Sequence, residues 1–140
     1  MHGRNYSGTW LWIQPFNLER HCWAAASVLD VTVDISQVNV VQTRLPKSTL
    51  YGPPEEVLAV RNGDVVLVRW SSVWMTDDDY RGYLIEASVC RSGTLIPIAV
   101  HIDGTSVEIT DEQTCDRGSS GILYTVEKHG YTAPVDIPWP

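Results

Sequence analysis

Apolar side chains recur at every second position in several short segments of this chain. The clearest is residues 65–70 (VVLVRW), and residues 82–89 (GYLIEASV) form a second such segment after an acidic loop. A period of two is typical of β-strands buried on one face. The pattern therefore predicts an all-β, antiparallel structure. Its strands are expected at residues 38–43, 57–60, 65–70, 82–89, 95–102, 106–110, 122–128 and 133–137.

A proline-rich segment divides the chain into two parts. Residues 45–54 (LPKSTLYGPP) contain three prolines and a glycine, which do not fit a central strand and which stiffen a connection between folded pieces. We therefore expect a first part at residues 1–45, a linker at 46–52 and a complete domain at 53–140. The first part is too short to bury an ordinary core by itself.

Composition narrows the functional classes. The chain has 140 residues, of which 44% are hydrophobic and 19% charged, which suits a packed core rather than a disordered chain. Its net charge of −7 and its dispersed Lys and Arg residues disfavour nucleic acid as a partner. No run reaches the roughly 18 apolar residues of a membrane span. The first residues lack the apolar core of a secretory signal, so we expect an intracellular protein or a segment of a longer secreted chain.

Residues 53–140 resemble a fibronectin type III domain. Residues 66–70 (VLVRW) are similar to the second strand of that family, residues 80–85 (YRGYLI) to its third, and residues 123–126 (LYTV) to its sixth. The resemblance implies an antiparallel immunoglobulin-like sandwich of seven strands. The core residues that it implies are Trp70, Tyr83 and Tyr124.

The first part resembles the end of a preceding copy of the same domain. Ile13, Phe16 and the run at 22–26 (CWAAA) follow the spacing of the sixth strand, and residues 38–43 resemble a closing strand. This predicts that residues 1–45 are a C-terminal remnant of a preceding fibronectin type III-like module. The alternative is that these residues add strands to a single larger sandwich.

The cysteines show no metal-binding spacing. Cys90 falls on the predicted third strand, and Cys115 falls in a lengthened loop before the sixth. If these segments adjoin, a disulfide would close a loop of about 25 residues and contribute about 2–4 kcal/mol. The alternative is two unpaired thiols, and Cys22 is expected to remain single. Asn5 begins an Asn-Tyr-Ser triplet, which is an N-glycosylation acceptor sequence.

An acidic loop with one tryptophan is the candidate partner contact. Tryptophan is enriched at the energetic centres of protein interfaces, and Trp74 lies in the loop after the second strand. The predicted contact residues are Trp74, Asp77, Asp78 and Asp79. Three consecutive carboxylates point in alternating directions and lack the ligand spacing of a calcium loop, so we expect no metal here. The alternative for Trp74 is packing against the first part. The loop at residues 118–121 is a second candidate surface.

No arrangement of nucleophile, base or metal ligands is evident, so we expect no enzymatic activity and no cofactor. The resemblance implies a non-enzymatic protein-interaction or spacer module of a multi-domain extracellular or cell-surface protein of the receptor or adhesion type, with protein partners. One alternative is an accessory module of a secreted carbohydrate-active enzyme, which predicts a flat row of exposed aromatic side chains. Another is an intracellular scaffold domain, in which all three cysteines would be reduced.

Overall fold

The computed structural model describes residues 1–41, 43–77 and 81–140. The chain divides into two compact units, Met1–Pro46 and Lys47–Pro140. The assignment of residues 1–45 to a preceding module stays a prediction.

The first unit is built around a small antiparallel sheet of order β1-β2-β3. Its elements are β1 (Gly3–Arg4), β2 (Trp10–Ile13), β3 (Cys22–Ala25) and two 3-10 turns at Ala26–Val28 and Ile35–Gln37. Leu11 on β2 is fully buried, whereas Phe16 is fully exposed. Phe16, which the sequence comparison placed in the spacing of the sixth strand, therefore lies in solvent.

The strand predicted over residues 38–43 is not formed in its described part. The Asp34 side chain accepts hydrogen bonds from the backbone N–H and the hydroxyl of Ser36, and this caps a 3-10 turn at Ile35–Gln37. After this turn, the chain pairs with β1 through an isolated bridge between Arg4 and Val40. Its pairing partner, β1, is only two residues long, so the described residues form no longer ladder with it.

The second unit is an antiparallel sandwich. Its strands are β4 (Glu55–Asn62), β5 (Val65–Ser71), β6 (Gly82–Arg91), β7 (Thr94–Ile102), β8 (Ser106–Thr110), β9 (Ser120–Glu127), β10 (Gly130–Tyr131) and β11 (Val135–Asp136). One sheet has the order β4-β5-β8 and the other β10-β9-β6-β7, with β11 also paired to β9. This confirms the all-β, antiparallel sandwich that the sequence predicts.

The core lies between the two sheets and contains Trp70 and Tyr83. Trp70 is 6% exposed, and its ring lies 5.2 Å from the Tyr83 ring in an edge-to-face contact. Strands β5 and β6 supply most of the other buried side chains, as their period of two predicts. The cluster consists of Val66, Val68, Trp70, Tyr83, Ile85, Ala87, Val89, Ile109, Leu123 and Ile137.

The structure corrects the placement of Tyr124. Leu123 joins the core, and because successive side chains of a strand point to opposite faces, Tyr124 lies on the other face of its sheet. There it is half-buried, contacts the ring of Tyr131 and donates a 3.2 Å hydrogen bond to Glu86. Burial and the negative Glu86 raise the pKa of Tyr124.

The last predicted strand, residues 133–137, is only two residues long. The chain pairs with β9 as β10, leaves it, and pairs again as β11. Between them, the Thr132 hydroxyl accepts a 3.0 Å hydrogen bond from the N–H of Thr125. Pro134 has no N–H to give a ladder bond, so the strand is interrupted here.

Candidate interaction surface

Trp74 stands out from the fold in the segment after β5. Its side chain is 78% exposed. Val73 and Met75, on either side of it, are partly buried and pack against the core. Val73 and Met75 thus pack against the core, whereas Trp74 between them does not. The indole lies in solvent, and the side chains on both sides of it are held by the sandwich.

Three sets of hydrogen bonds fix this loop. The Tyr83 hydroxyl, itself in the core, accepts a 2.7 Å bond from the N–H of Val73. The Tyr51 hydroxyl lies 2.8 Å from the Thr76 hydroxyl and accepts a 3.2 Å bond from the Thr76 N–H. Arg81 donates a 3.1 Å bond to the carbonyl of Met75. The backbone on both sides of Trp74 is therefore tied to the rest of the unit.

Asp77 is the acidic residue of this loop that the structure describes, and it forms an ion pair. Asp77 and Arg81 form an ion pair of 2.5 Å, and both side chains are largely in solvent. Such an exposed pair contributes little to stability. Asp78 and Asp79 lie outside the described residues. Across the described ranges, no three His, Cys, Asp or Glu side chains are grouped so that they could hold a metal ion.

At the other end of β5 lies a buried carboxylate that the sequence did not reveal. The Asp111 side chain is fully buried. One oxygen accepts bonds from the Cys90 N–H, at 2.7 Å, and from the Ser119 hydroxyl. The other accepts a 2.8 Å bond from the Trp139 indole N–H and pairs with the Arg61 guanidinium. Residues from four separate segments of the chain thus bind one buried carboxylate.

These bonds stabilise the charged form of Asp111. Burial opposes ionisation, but the hydrogen bonds from Ser119, Cys90, Trp139 and Arg61 together outweigh it and lower the pKa of Asp111 to about 2. The side chain therefore stays ionised at neutral pH. Its role is structural, because both of its oxygens are engaged by the protein itself.

A disulfide closes the same end. Cys90 and Cys115 are bonded, with their Cα atoms 5.8 Å apart, so the predicted pairing is confirmed. Cys22 is free and exposed. The glycine-rich loop at residues 118–121 is built into this end, since Gly121 lies so close to the Trp139 ring that an added Cβ would be 2.8 Å from it. Its role as a contact surface stays a prediction.

A second buried carboxylate lies at the end of β9, beside the turn to β10. Glu127 is 1% exposed and accepts bonds from the backbone N–H of His129, at 2.9 Å, and from its Nδ1, at 2.7 Å. Burial opposes its charge, but hydrogen bonds from Ser48 and His129 lower the pKa of Glu127 overall. The Ser48 contact is not predictable from local pattern, since Ser48 is distant in sequence.

The first unit corrects the glycosylation prediction. The Asn5 side chain is fully buried, and its Nδ2 donates 3.1 Å hydrogen bonds to the hydroxyls of Ser7 and Thr9. Its oxygen accepts a bond from the Trp10 N–H. The triplet therefore folds into a turn in which the acceptor nitrogen has no space for a glycan.

Aromatic rings line one face of the small sheet. Trp12 and Trp23 are cross-strand partners with ring centroids 5.2 Å apart, and the His21 ring is nearly parallel to that of Trp12 at 5.7 Å. The Trp23 indole N–H donates a hydrogen bond to the carbonyl of Arg44, which fixes the ring. Both tryptophans are partly exposed.

The likeness of this chain to known families and solved structures is low. No family model matches the chain. Among solved structures, it is similar to a Fn3-like protein from Clostridium thermocellum, with 16% identity over 66% of this chain and 96% of that chain and a TM-score of 0.40. A likeness this low carries no argument about fold or function. The strand order and register described above are the basis for the fold, an all-β antiparallel sandwich.

The helical content of the structure is restricted to short turns. Within residues 1–41, 43–77 and 81–140, no helix is long and apolar enough to cross a membrane.

Proposed function

We propose that this chain is a non-enzymatic protein-interaction module of a multi-domain extracellular protein, and that the loop bearing Trp74 is its contact surface. The observation that carries the proposal is the 78% exposure of Trp74 on a backbone anchored by hydrogen bonds on both sides. The disulfide supports an oxidising, extracellular location, since such bonds rarely persist in the cytosol.

An anchored, exposed indole suits a binding role for energetic reasons. A tryptophan buries a large area on contact, and a backbone held in place by hydrogen bonds loses little conformational entropy on binding. Exposing an indole costs free energy in the unbound state, and nothing in the fold of the second unit requires Trp74 to be there. Arg81 and Asp77 beside it provide the polar rim typical of interface centres.

The proposal is tested by binding to a panel of purified extracellular proteins. We expect a partner for which Trp74→Ala weakens binding by about thirtyfold, the effect of removing an interface centre worth about 2 kcal/mol. The matched control is Leu58→Ala, which removes another exposed apolar side chain, 63% exposed, from the outer face of β4. Partners that bind the wild type and the Trp74→Ala variant equally well would refute this contact surface.

A second candidate function is carbohydrate binding, and the stacked rings of Trp12 and His21 favour it. The Trp12 and His21 rings are nearly parallel, at 14°, and offer the flat aromatic surface that an accessory module of a carbohydrate-active enzyme would present, whereas the Trp23 ring is tilted by 55° from that of Trp12 and does not extend it. Titration with soluble oligosaccharides distinguishes the two candidates. A change in tryptophan fluorescence that Trp12→Ala abolishes, and Trp74→Ala does not, would support carbohydrate binding.

A further inference from the structure

An exposed asparagine ends β4, and the glycine that follows it begins the turn to β5. The two strands are joined by the two-residue loop Gly63-Asp64, and Asn62 pairs with Val65 across it. Gly63 has φ of +59°, as expected for the first position of a tight hairpin turn. Both Asn62 and Gly63 are exposed.

We propose that Asn62 is a site of spontaneous deamidation. The Gly63 nitrogen, after losing its proton, attacks the side-chain carbonyl carbon of Asn62, a C–N bond forms, and ammonia leaves with the former amide nitrogen. The product is a five-membered succinimide. Solvent water then opens this ring at either carbonyl, which gives aspartate or isoaspartate at position 62. The overall change is the loss of ammonia and the gain of water.

Three features of the structure favour attack at this position. Gly63 has no Cβ, and a Cβ placed there would meet nothing within 4 Å, so neither a side chain at position 63 nor neighbouring atoms crowd this point of the turn. Among the described residues, no hydrogen bond engages the Gly63 N–H or the Asn62 side chain. The attacking and leaving groups are therefore both open to solvent.

Asn62 lies at the end of the sandwich that holds the buried Asp111 carboxylate, so its conversion should disturb contacts at that end. The Gly63 carbonyl accepts hydrogen bonds from Arg61, at 3.4 Å, and from Gln113, at 3.3 Å. Isoaspartate adds one atom to the backbone of a two-residue turn, which displaces this carbonyl. Both products also add a negative charge next to Asp64.

The test is peptide mapping by mass spectrometry after incubation of the whole, folded chain. The internal references are Asn17 and Asn39, which are also exposed but precede Leu and Val. We expect Asn62 to convert about tenfold faster than either, and faster in mildly alkaline than in mildly acidic buffer. Asn62→Gln, whose longer side chain would have to close a larger ring, should abolish the conversion.

Two results would overturn the proposal. One is conversion of Asn62 no faster than that of Asn17 and Asn39 in the folded chain. The other is conversion at a rate independent of pH, since attack requires a deprotonated nitrogen. A mixture of aspartate and isoaspartate at position 62, resolved by chromatography against the Asn62→Asp variant, is the expected sign of the succinimide route.

Discussion

The two ends of the Lys47–Pro140 unit differ in how they use hydrogen bonds. They are separated by the length of β5, about 20 Å. At one end, Asp111 is buried and bonded to four segments, and a disulfide lies next to it. At the other, hydrogen bonds from the backbone to the hydroxyls of Tyr83 and Tyr51 hold a segment whose Trp74 side chain is in solvent.

From this difference we infer which end stabilises the fold and which end is available for contact. Bonds to a buried charge stabilise the sandwich, because their loss leaves charged or polar groups without partners in the interior. Bonds that only position a loop stabilise the fold weakly, but they hold the backbone that carries an exposed side chain. We therefore expect substitutions at the Asp111 end to unfold the unit and those at the Trp74 end to affect binding.

The largest effect is expected for Asp111→Asn. The amide retains the shape but loses the charge, and Arg61 loses its buried partner. We expect the free energy of unfolding to fall by about 3–5 kcal/mol, measured by urea denaturation. Asp64→Asn, an exposed carboxylate at the same end, is the control and should change stability by less than about 0.5 kcal/mol. Equal, small effects would contradict the structural role of Asp111.

Reduction of the disulfide should have the next largest effect. The bond closes a separation of 25 residues, so its loss should cost about 2–4 kcal/mol, seen as a lower Tm in reductant. Cys22→Ser should leave this response unchanged, since Cys22 is free. Mass spectrometry of unreduced material tests the location as well. A chain with three free thiols would favour the intracellular scaffold alternative.

Acid should weaken the same end. The pKa of Asp111 is lowered to about 2 in the folded state, below its unfolded value, so the unfolded chain binds a proton first as the pH falls. The stabilisation is complete above about pH 4 and is lost as the pH falls toward about 2, a change of about 2 kcal/mol. The measurement is the free energy of unfolding across this window. The Asp111→Asn variant should lose correspondingly less, and an equal loss in both proteins would assign it to other carboxylates.

Sequence pattern predicted the strands but not the contacts between distant residues. The family resemblance implied that Trp70 and Tyr83 are buried, and the alternation in β5 and β6 agrees, because a period of two directly determines which side chains share a face. Tyr124 was placed in the core by the resemblance and not by alternation, and its neighbour Leu123 occupies the core face instead. Asp111 is bonded to residues up to 50 positions away from it, and no local pattern signals the site.

At the loop end, Tyr51→Phe should have a small effect. It removes the hydroxyl that bonds to Thr76, which is worth about 1 kcal/mol. Amide hydrogen exchange at Thr76 should become faster, while exchange in β6 stays unchanged. Tyr6→Phe, at an exposed tyrosine of the first unit, is the control. Unchanged exchange at Thr76 would show that this hydroxyl does not hold the loop.

The most direct test of the difference between the two ends is the free energy of unfolding of the Trp74→Ala variant, measured by urea denaturation. If the indole lies outside the fold, the free energy should stay within about 0.5 kcal/mol of the wild-type value, with an unchanged dependence on urea. A loss of about 3 kcal/mol or more, as expected for a buried tryptophan, would show that Trp74 is part of the core and would remove the basis for its role in binding.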